Sequence, residues 1–408
     1  MIQFGIDTLL ADPGRFLDGR RVALLANQAS LTAVGTPTLE ALRAAPGIEL
    51  AALLTPEHGW SGFEAEAAAV ADRQDPRTGL PLVSLYGPRR RPAPEVLRAV
   101  DAVVVDLQEV GVRCYTYAAT VALLCEAAAE AGTAVVVCDR PSLLGPRVDG
   151  PMLDPERRSF LGFLPVPFQH GCTIGALLAF ATRDLGVDLR VPRMTGLSDG
   201  DPPPPPFVPP SPGLPTLEAV RLYPGLVLLE GTNLSEGRGT TLPFQLLGAP
   251  WLEGYALARA LNRLELPGLR FRPLTFRPNA GKHAGELCHG VQLHVVDAVA
   301  LRPLEAVVRV LAHVRATYDA FTWLDAEAMP WVDHPDAGAP WFEPVAGPIV
   351  DALVGDGSAR EVIDGTRDWD DVAVAWERDA AAFAASLGAG TAAAVAGTAP
   401  GDDVWTDG

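Results

Sequence analysis

Four apolar runs within the first 141 residues each end in polar side chains. RRVALLAN runs out at Asn27, and IELAALLTPEHG at Glu57 and His58. DAVVVDLQEVGVR delivers Asp106, Glu109 and Arg113, and TAVVVCDR delivers Asp139 and Arg140. Runs of Val, Leu and Ala with so little polar alternation suit parallel strands covered by helices on both faces. Helical stretches separate them: TPTLEALRAA, APEVLRAV and TYAATVALLCEAAAEAG, followed by TIGALLAFATRDLG and a further strand, DLRVPRM. That alternation builds right-handed βαβ units and a parallel sheet. Ligands of such open sheets bind at the carboxyl ends of the strands, near the topological switch point. One Asp or Asn at a strand end commonly caps a helix or starts a turn. The whole set, converging on one crevice, has the layout of an active site.

The chain has 408 residues, long enough for two domains. A proline-rich tract, DPPPPPFVPPSPGLP (201–215), is expected to be an extended surface connector between them. The reading is an α/β protein, with a parallel-sheet catalytic domain over 1–200 and a smaller α+β domain over 216–408 that completes the cleft. In the second half, WLEGYALARALNRL and LRPLEAVVRVLAHVRATYDAF read as helices, while LYPGLVLLE, RFRPLTFRP and GVQLHVVD read as strands. The tail from AAAFAASLGAG onward turns to Ala, Gly and Thr and is expected to fray.

Composition removes several functions. A net charge of −18 argues against a nucleic-acid backbone or an anionic membrane surface as partner. An anionic small molecule stays possible where arginines cluster locally. The longest helical apolar stretch is broken by Glu126 and Glu130 and cannot span a bilayer. No basic segment followed by an apolar run opens the chain, so no signal peptide is expected. Five cysteines, without a CxxC pair, read as small hydrophobes in a reducing setting, hence a cytoplasmic protein.

The densest motif is EGTNLSEGRGTTLPF (230–244), which gathers Glu230, Asn233, Glu236 and Arg238 among three glycines. Glycine permits close backbone approach, and mixed acid, amide and guanidinium suit a sugar or a carboxylate. A phosphate loop would need Lys followed by Ser or Thr after its last glycine, and that ending is missing. No glycine fingerprint follows the first strand, where the sequence is QASLTAVGT. The sheet is therefore expected to be Rossmann-like in shape without a nucleotide cofactor. GLSDG (196–200) matches a nucleophile elbow, but prolines follow where the elbow needs a helix, so a serine hydrolase is set aside. The spacing of His283, His289 and His294 fits no common ligand signature, and no metal is expected.

Taken in order, TPEHGWSG, GLPLVSLYG, DLQEVGVRCYTY, CDRPSLLG, PSPGLPTLEAVRLYPG and EGTNLSEGRGTTLPFQLLGAPW resemble the NamZ/YbbC-type exo-β-N-acetylmuramidases over nearly the whole chain. The resemblance implies an N-terminal Rossmann-like domain, a smaller C-terminal domain and a cleft between them. It implies removal of N-acetylmuramic acid from the non-reducing end of peptidoglycan fragments, so the expected partner is an amino sugar or a muropeptide-derived disaccharide. It also implies Glu57 of TPEHG as the catalytic acid. This chain departs from the family pattern at Glu109, Ser142 and Gly213.

Glycosidases generally use two carboxyls. Glu236 is the first candidate beside Glu57, with Asp106 and Glu230 behind it. Arg113, Arg140 and Arg238 are candidates to hold a lactyl carboxylate. Asn27, His58, Tyr115, Asp139, Glu230 and Asn233 are expected around the sugar. The rivals are a non-catalytic sugar- or carboxylate-binding module, a hydrolase of a related amino sugar, and a nucleotide-dependent Rossmann enzyme.

Overall fold

β-branched and small apolar residues occupy both faces of each central strand, and both faces are buried. A computed structural model describes residues 2–19, 21–66, 68–197, 206–325 and 347–387. Along the chain come β1 (Arg21–Ala26), β2 (Glu49–Thr55), β3 (Arg73–Gln74), β4 (Pro81–Ser84), β5 (Ala102–Asp106) and β6 (Ala134–Val137). β7 (Val148–Met152) and β8 (Pro167–His170) pair with each other, and β9 (Leu189–Arg190) returns to the main sheet. The main sheet has the order β3-β4-β2-β1-β5-β6-β9, and only β3 runs antiparallel to its neighbour. The chain builds outward from β1 through β2 to β4, then crosses back to lay β5 on the other side of β1. The switch point therefore lies between β1 and β5, as the doubly wound reading requires.

Strand alternation divides the core in two. Ala23, Leu25, Val103, Val105, Val135 and Val137 face one cluster, with Tyr117, Val121 and Leu124 of the helix Thr116–Ala131. Val22, Leu24, Ala26, Val104 and Val136 face the other, against Ile6, Leu9, Leu39 and Leu42. The first cluster does not stop at the N-terminal half. It continues through Leu214, Tyr223, Leu247, Val307 and Leu353, so apolar packing joins the two halves of the chain. The C-terminal half contributes an antiparallel sheet of β10 (Leu246–Ala249), β11 (Leu269–Phe276) and β12 (Cys288–Val295), in the order β10-β12-β11. Among the described residues, no helix is long and apolar enough to cross a membrane.

Three expectations are corrected. LYPGLVLLE is not a strand: the helix Leu217–Leu226 runs into a 3-10 turn, Val227–Gly231. Thr216 caps it by accepting from the Ala219 amide, and Val220, Tyr223 and Val227 bury one helical stripe. The tail stays helical through Ser386, because Val372, Trp376 and Phe383 form a buried stripe on Trp369–Ser386; residues 388–408 lie outside the described residues. The proline tract is not a free connector. Its residues 201–205 lie outside the described residues, as do Ser198, Asp199 and Gly200 of GLSDG. Its later part is held down: Gln28 Nε2 donates to the carbonyls of Pro209 (2.8 Å) and Pro210 (3.2 Å), and Tyr117 donates to Pro210 at 2.7 Å.

Asp106 and Arg140 close the switch point. Asp106 ends β5 with no exposed surface and takes two hydrogen bonds from the Arg140 guanidinium, at 2.5 and 2.9 Å. Thr38 Oγ1 donates to the same carboxylate, and Arg140 also reaches the Leu31 carbonyl. Asp106 is therefore no catalytic candidate and Arg140 no clamp for a substrate, since each is spent on the other out of contact with solvent. Breaking one member of a buried pair strands the other charge. Asp106→Ala should lose about 3–5 kcal/mol of unfolding free energy in a denaturant titration; a loss within that of an exposed control, such as Glu95→Ala, would show that the pair does not hold the switch point.

Candidate active site

β2 delivers its carboxylate through a strained turn. After Thr55 the chain enters TPEHG, where His58 takes φ 67° and Gly59 φ 74°. A left-handed conformation at a residue with a β-carbon costs roughly 1–2 kcal/mol, and such strain persists where surroundings fix it. Here the fixing contact is His58 Nδ1 to the Glu64 carbonyl, 2.8 Å. The turn presents Glu57 to the first residue of the helix Thr116–Ala131, whose Thr116 hydroxyl donates to Glu57 Oε2 at 2.6 Å. Tyr86, two residues beyond β4, hydrogen-bonds the same carboxyl. Burial first, and Glu57 second, push the Tyr86 phenol well above its ordinary range, so it remains a proton donor. Tyr115 lies alongside, packed on Tyr117 (centroids 4.7 Å) and edge-on to Tyr223 (6.1 Å).

The facing wall is built from EGTNLSEGRGTTLPF. Arg238 sits among three carboxylates: Glu230 at 2.7 Å, Glu236 at 3.1 Å and Glu66 at 3.4 Å. Its guanidinium also stacks over Phe244, 4.7 Å from the ring centroid. Burial raises Glu230 above the usual carboxylate range, with Arg238 pulling the other way. For Glu236, burial is outweighed by Lys282 and Arg238, which bring it down to about 2. Lys282 Nζ lies 3.0 Å from Glu236 Oε2 and donates to the Leu229 (2.6 Å) and Thr232 (3.1 Å) carbonyls. The glycines earn their place at Gly237 (φ 88°), where a β-carbon would lie 2.8 Å from the Leu242 carbonyl.

Glu57, His58, Glu66, Tyr86, Glu230 and Arg238 line one pocket of about 80 Å³, together with Tyr115 and Thr116. A larger cavity, about 710 Å³, contains none of them. Size favours the large cavity as a ligand site; chemistry favours the small one, where carboxyls, hydroxyls and a guanidinium meet. We take the small pocket as the candidate active site.

Several expected site residues are elsewhere, each for a stated reason. Glu236 is 1% exposed and committed to Arg238 and Lys282, so it supports the wall rather than facing the pocket. Asn27 is buried behind the pocket, donating to Tyr117 Oη at 2.9 Å and accepting from the Ala29 amide. Arg113 donates to the carbonyls of Pro151, Val166 and Val354, and burial lowers it to about 10; it stitches the two halves together. Asp139 accepts from the amides of Arg140 (3.1 Å) and Gly175 (2.9 Å) and from Thr173, anchoring the helix Ile174–Thr182, and burial raises it to about 6. Asn233 brackets residues 320–322 through Ala320 and Thr322.

Glu66, Tyr86, Thr116 and Lys282 were missed in the sequence. For Tyr86 a signal existed: it closes the run GLPLVSLYG just past a strand end.

Comparison with known proteins bears on this pocket. The exo-β-N-acetylmuramidase NamZ N-terminal domain profile matches residues 22–218, and the C-terminal one matches 221–388. The chain belongs to the NamZ exo-β-N-acetylmuramidase family. The peptidoglycan β-N-acetylmuramidase NamZ of Bacillus subtilis is 43% identical over 326 residues, 78% of each chain. A DUF1343 family protein from Bacteroides fragilis has a crystal structure similar over 95% of this chain and 97% of its own, with TM-score 0.80 and 31% identity. A second protein of that family and organism has the same coverages, TM-score 0.70 and 26% identity. The mixed α/β fold, with its mostly parallel sheet and second, smaller half, is shared with these solved structures.

The depressed Glu236 has a stability signature. Its folded value of about 2 lies below the unfolded 4.5, so its contribution is complete above pH 4.5 and is lost as pH falls toward 2. Wild type should lose more unfolding free energy than Glu236→Gln across that interval, with Asp139 common to both and cancelling. Parallel curves for the two proteins would rule out the ion-paired Glu236.

Proposed function

We propose that this chain is an exo-β-N-acetylmuramidase, cleaving the glycosidic bond of non-reducing-terminal N-acetylmuramic acid in peptidoglycan fragments. The observation that carries the reading is the meeting of Glu57, held by Thr116 and Tyr86, with Glu230 and Arg238 in one pocket. Glycoside cleavage needs one carboxyl to protonate the leaving oxygen and another to act as base or nucleophile. We assign Glu57 the proton-donor role and Glu230 the second, in place of Glu236 and Asp106. A reversed assignment is favoured by one observation, the burial that raises Glu230. His58, Tyr115 and Glu66 complete the sugar's surroundings. The chain reads as a catalytic half, 1–200, and a half, 216–408, that supplies the facing wall. Its five buried free thiols suit a reducing, cytoplasmic setting.

A chromogenic β-N-acetylmuramide, tested beside the corresponding N-acetylglucosaminide, decides the function. Release from the muramide is expected; binding of both without release would favour a sugar-binding module. On a substrate with a poor leaving group, Glu57→Gln should lose about a hundred- to ten-thousand-fold in turnover with its fold intact. A much smaller loss with an activated aryl leaving group would identify Glu57 as the acid. Near-wild-type turnover of Glu57→Gln on the poor leaving group would remove Glu57 from the mechanism.

Arg238 is neutralised by Glu66, Glu230 and Glu236, so its work is to hold carboxylates in place. Arg238→Leu should therefore lower kcat/KM on muramide and on any glucosaminide turnover by the same factor. A loss confined to the muramide would instead make Arg238 a clamp for the lactyl carboxylate.

A further inference from the structure

The 710 Å³ cavity shares no residue with the candidate active site, and its size falls in the ~300–1,000 Å³ range of small-molecule sites. It is bounded by the loop after β6, by Arg221 on the helix Leu217–Leu226, by the start of the helix Pro303–Thr317, and by Trp369 and Trp376. Three arginines line it in a chain of net charge −18. Arg147 is fixed by the Leu301 carbonyl and by that of Val299 at 2.7 Å. Neither the Arg221 nor the Arg302 guanidinium makes a hydrogen bond or a close ion pair among the described residues, though Arg302 lies near enough to Asp149 and Arg147 to act on both. Three guanidiniums gathered around one cavity, two of them without a close partner, are not something the fold itself requires, since like charges held together are unfavourable.

The acids around the cavity set what kind of anion fits. Glu305 is paired with Arg309 at 3.0 Å. Asp149 accepts from the Gly150 amide at 2.8 Å and sits within the field of Arg302 and Arg147 without a close ion pair, and Glu377 lies on the exposed face. Three guanidiniums against those two carboxylates leave one positive charge unmatched. A dianionic phosphate would meet Asp149 and Glu377 as repulsive neighbours; a monoanionic carboxylate balances the site. Leu143, Leu301 and the half-buried Trp369 ring supply apolar surface for the body of such a ligand.

We propose that this cavity is a second ligand site, taking a small carboxylate whose acid group sits between Arg221 and Arg302 and whose body rests on Trp369. The site goes beyond the muramidase reading, and its carboxylate could come from an acidic sugar or from the C-terminus of a short peptide. Calorimetric titration separates these sources. N-acetylmuramic acid, alanyl-alanine, N-acetylglucosamine and inorganic phosphate are titrated into the full chain and into Arg221→Leu, Arg302→Leu and Arg302→Lys. Muramide turnover and the thermal midpoint are followed on each protein.

One of the two carboxylates should bind about tenfold more weakly to both Leu variants, the weight of one charge-assisted hydrogen bond. Arg302→Lys should recover part of that loss, while turnover stays within about twofold of wild type. Loss of muramate binding names the acidic sugar, and loss of dipeptide binding names the peptide. Equal affinities of both carboxylates for all four proteins, a response to phosphate alone, or turnover falling in step with binding would overturn the second site. Absence of muramide turnover in the wild type would count against the muramidase reading and leave this comparison of affinities intact.

Discussion

The contact between Asp106 and Arg140 fixes where the sheet opens. The carboxylate ends one strand at the switch point and the guanidinium follows the next, so their bond sets how far β5 and β6 splay at their carboxyl ends. Thr38 and Leu31 tie the segment after β1 to the same pair. With that side of the crevice locked, the neighbouring TPEHG turn meets the start of the helix Thr116–Ala131, and Glu57 finds the Thr116 hydroxyl. The pair does its work by geometry, out of reach of any substrate.

Across the pocket the same logic is repeated with opposite sign. Arg238 is one positive centre serving three carboxylates, with Lys282 holding the most buried of them. A low-dielectric wall cannot keep three adjacent acids ionised unaided. The arrangement lets Glu230 remain at the pocket surface while Glu236, behind it, carries a settled negative charge.

The parallel sheet, its switch point and the delivery of polar groups at strand ends were legible in the sequence, because uniform apolar runs admit few other structures. What stayed hidden was direction. A strand-end side chain points to one face or the other, and Asp106 shares its face with Val104 and the cluster of Leu24 and Ile6, while Glu57 lies past the strand in a turn free to aim at the cleft. Arg113 was misread for another reason: one of its partners is the Val354 carbonyl, 241 positions away, a distance no local pattern encodes. LYPGLVLLE misled because Pro224 and short apolar spacing hide a helix whose stripe closes only against the C-terminal half. Glu230 and Arg238, by contrast, announced themselves through sheer density of chemistry between glycines.

The core that runs from Leu25 through Tyr223 to Leu353 has a mechanical meaning. Two domains that meet through a polar seam can rock about a hinge; two halves sharing one apolar interior, sewn by Arg113 as well, cannot part without exposing it to water. The cleft accordingly has a set width. Selection among ligands then falls to the shape of a mould, lined by Glu57, Glu66, Glu230 and Arg238, rather than to the closing of a jaw.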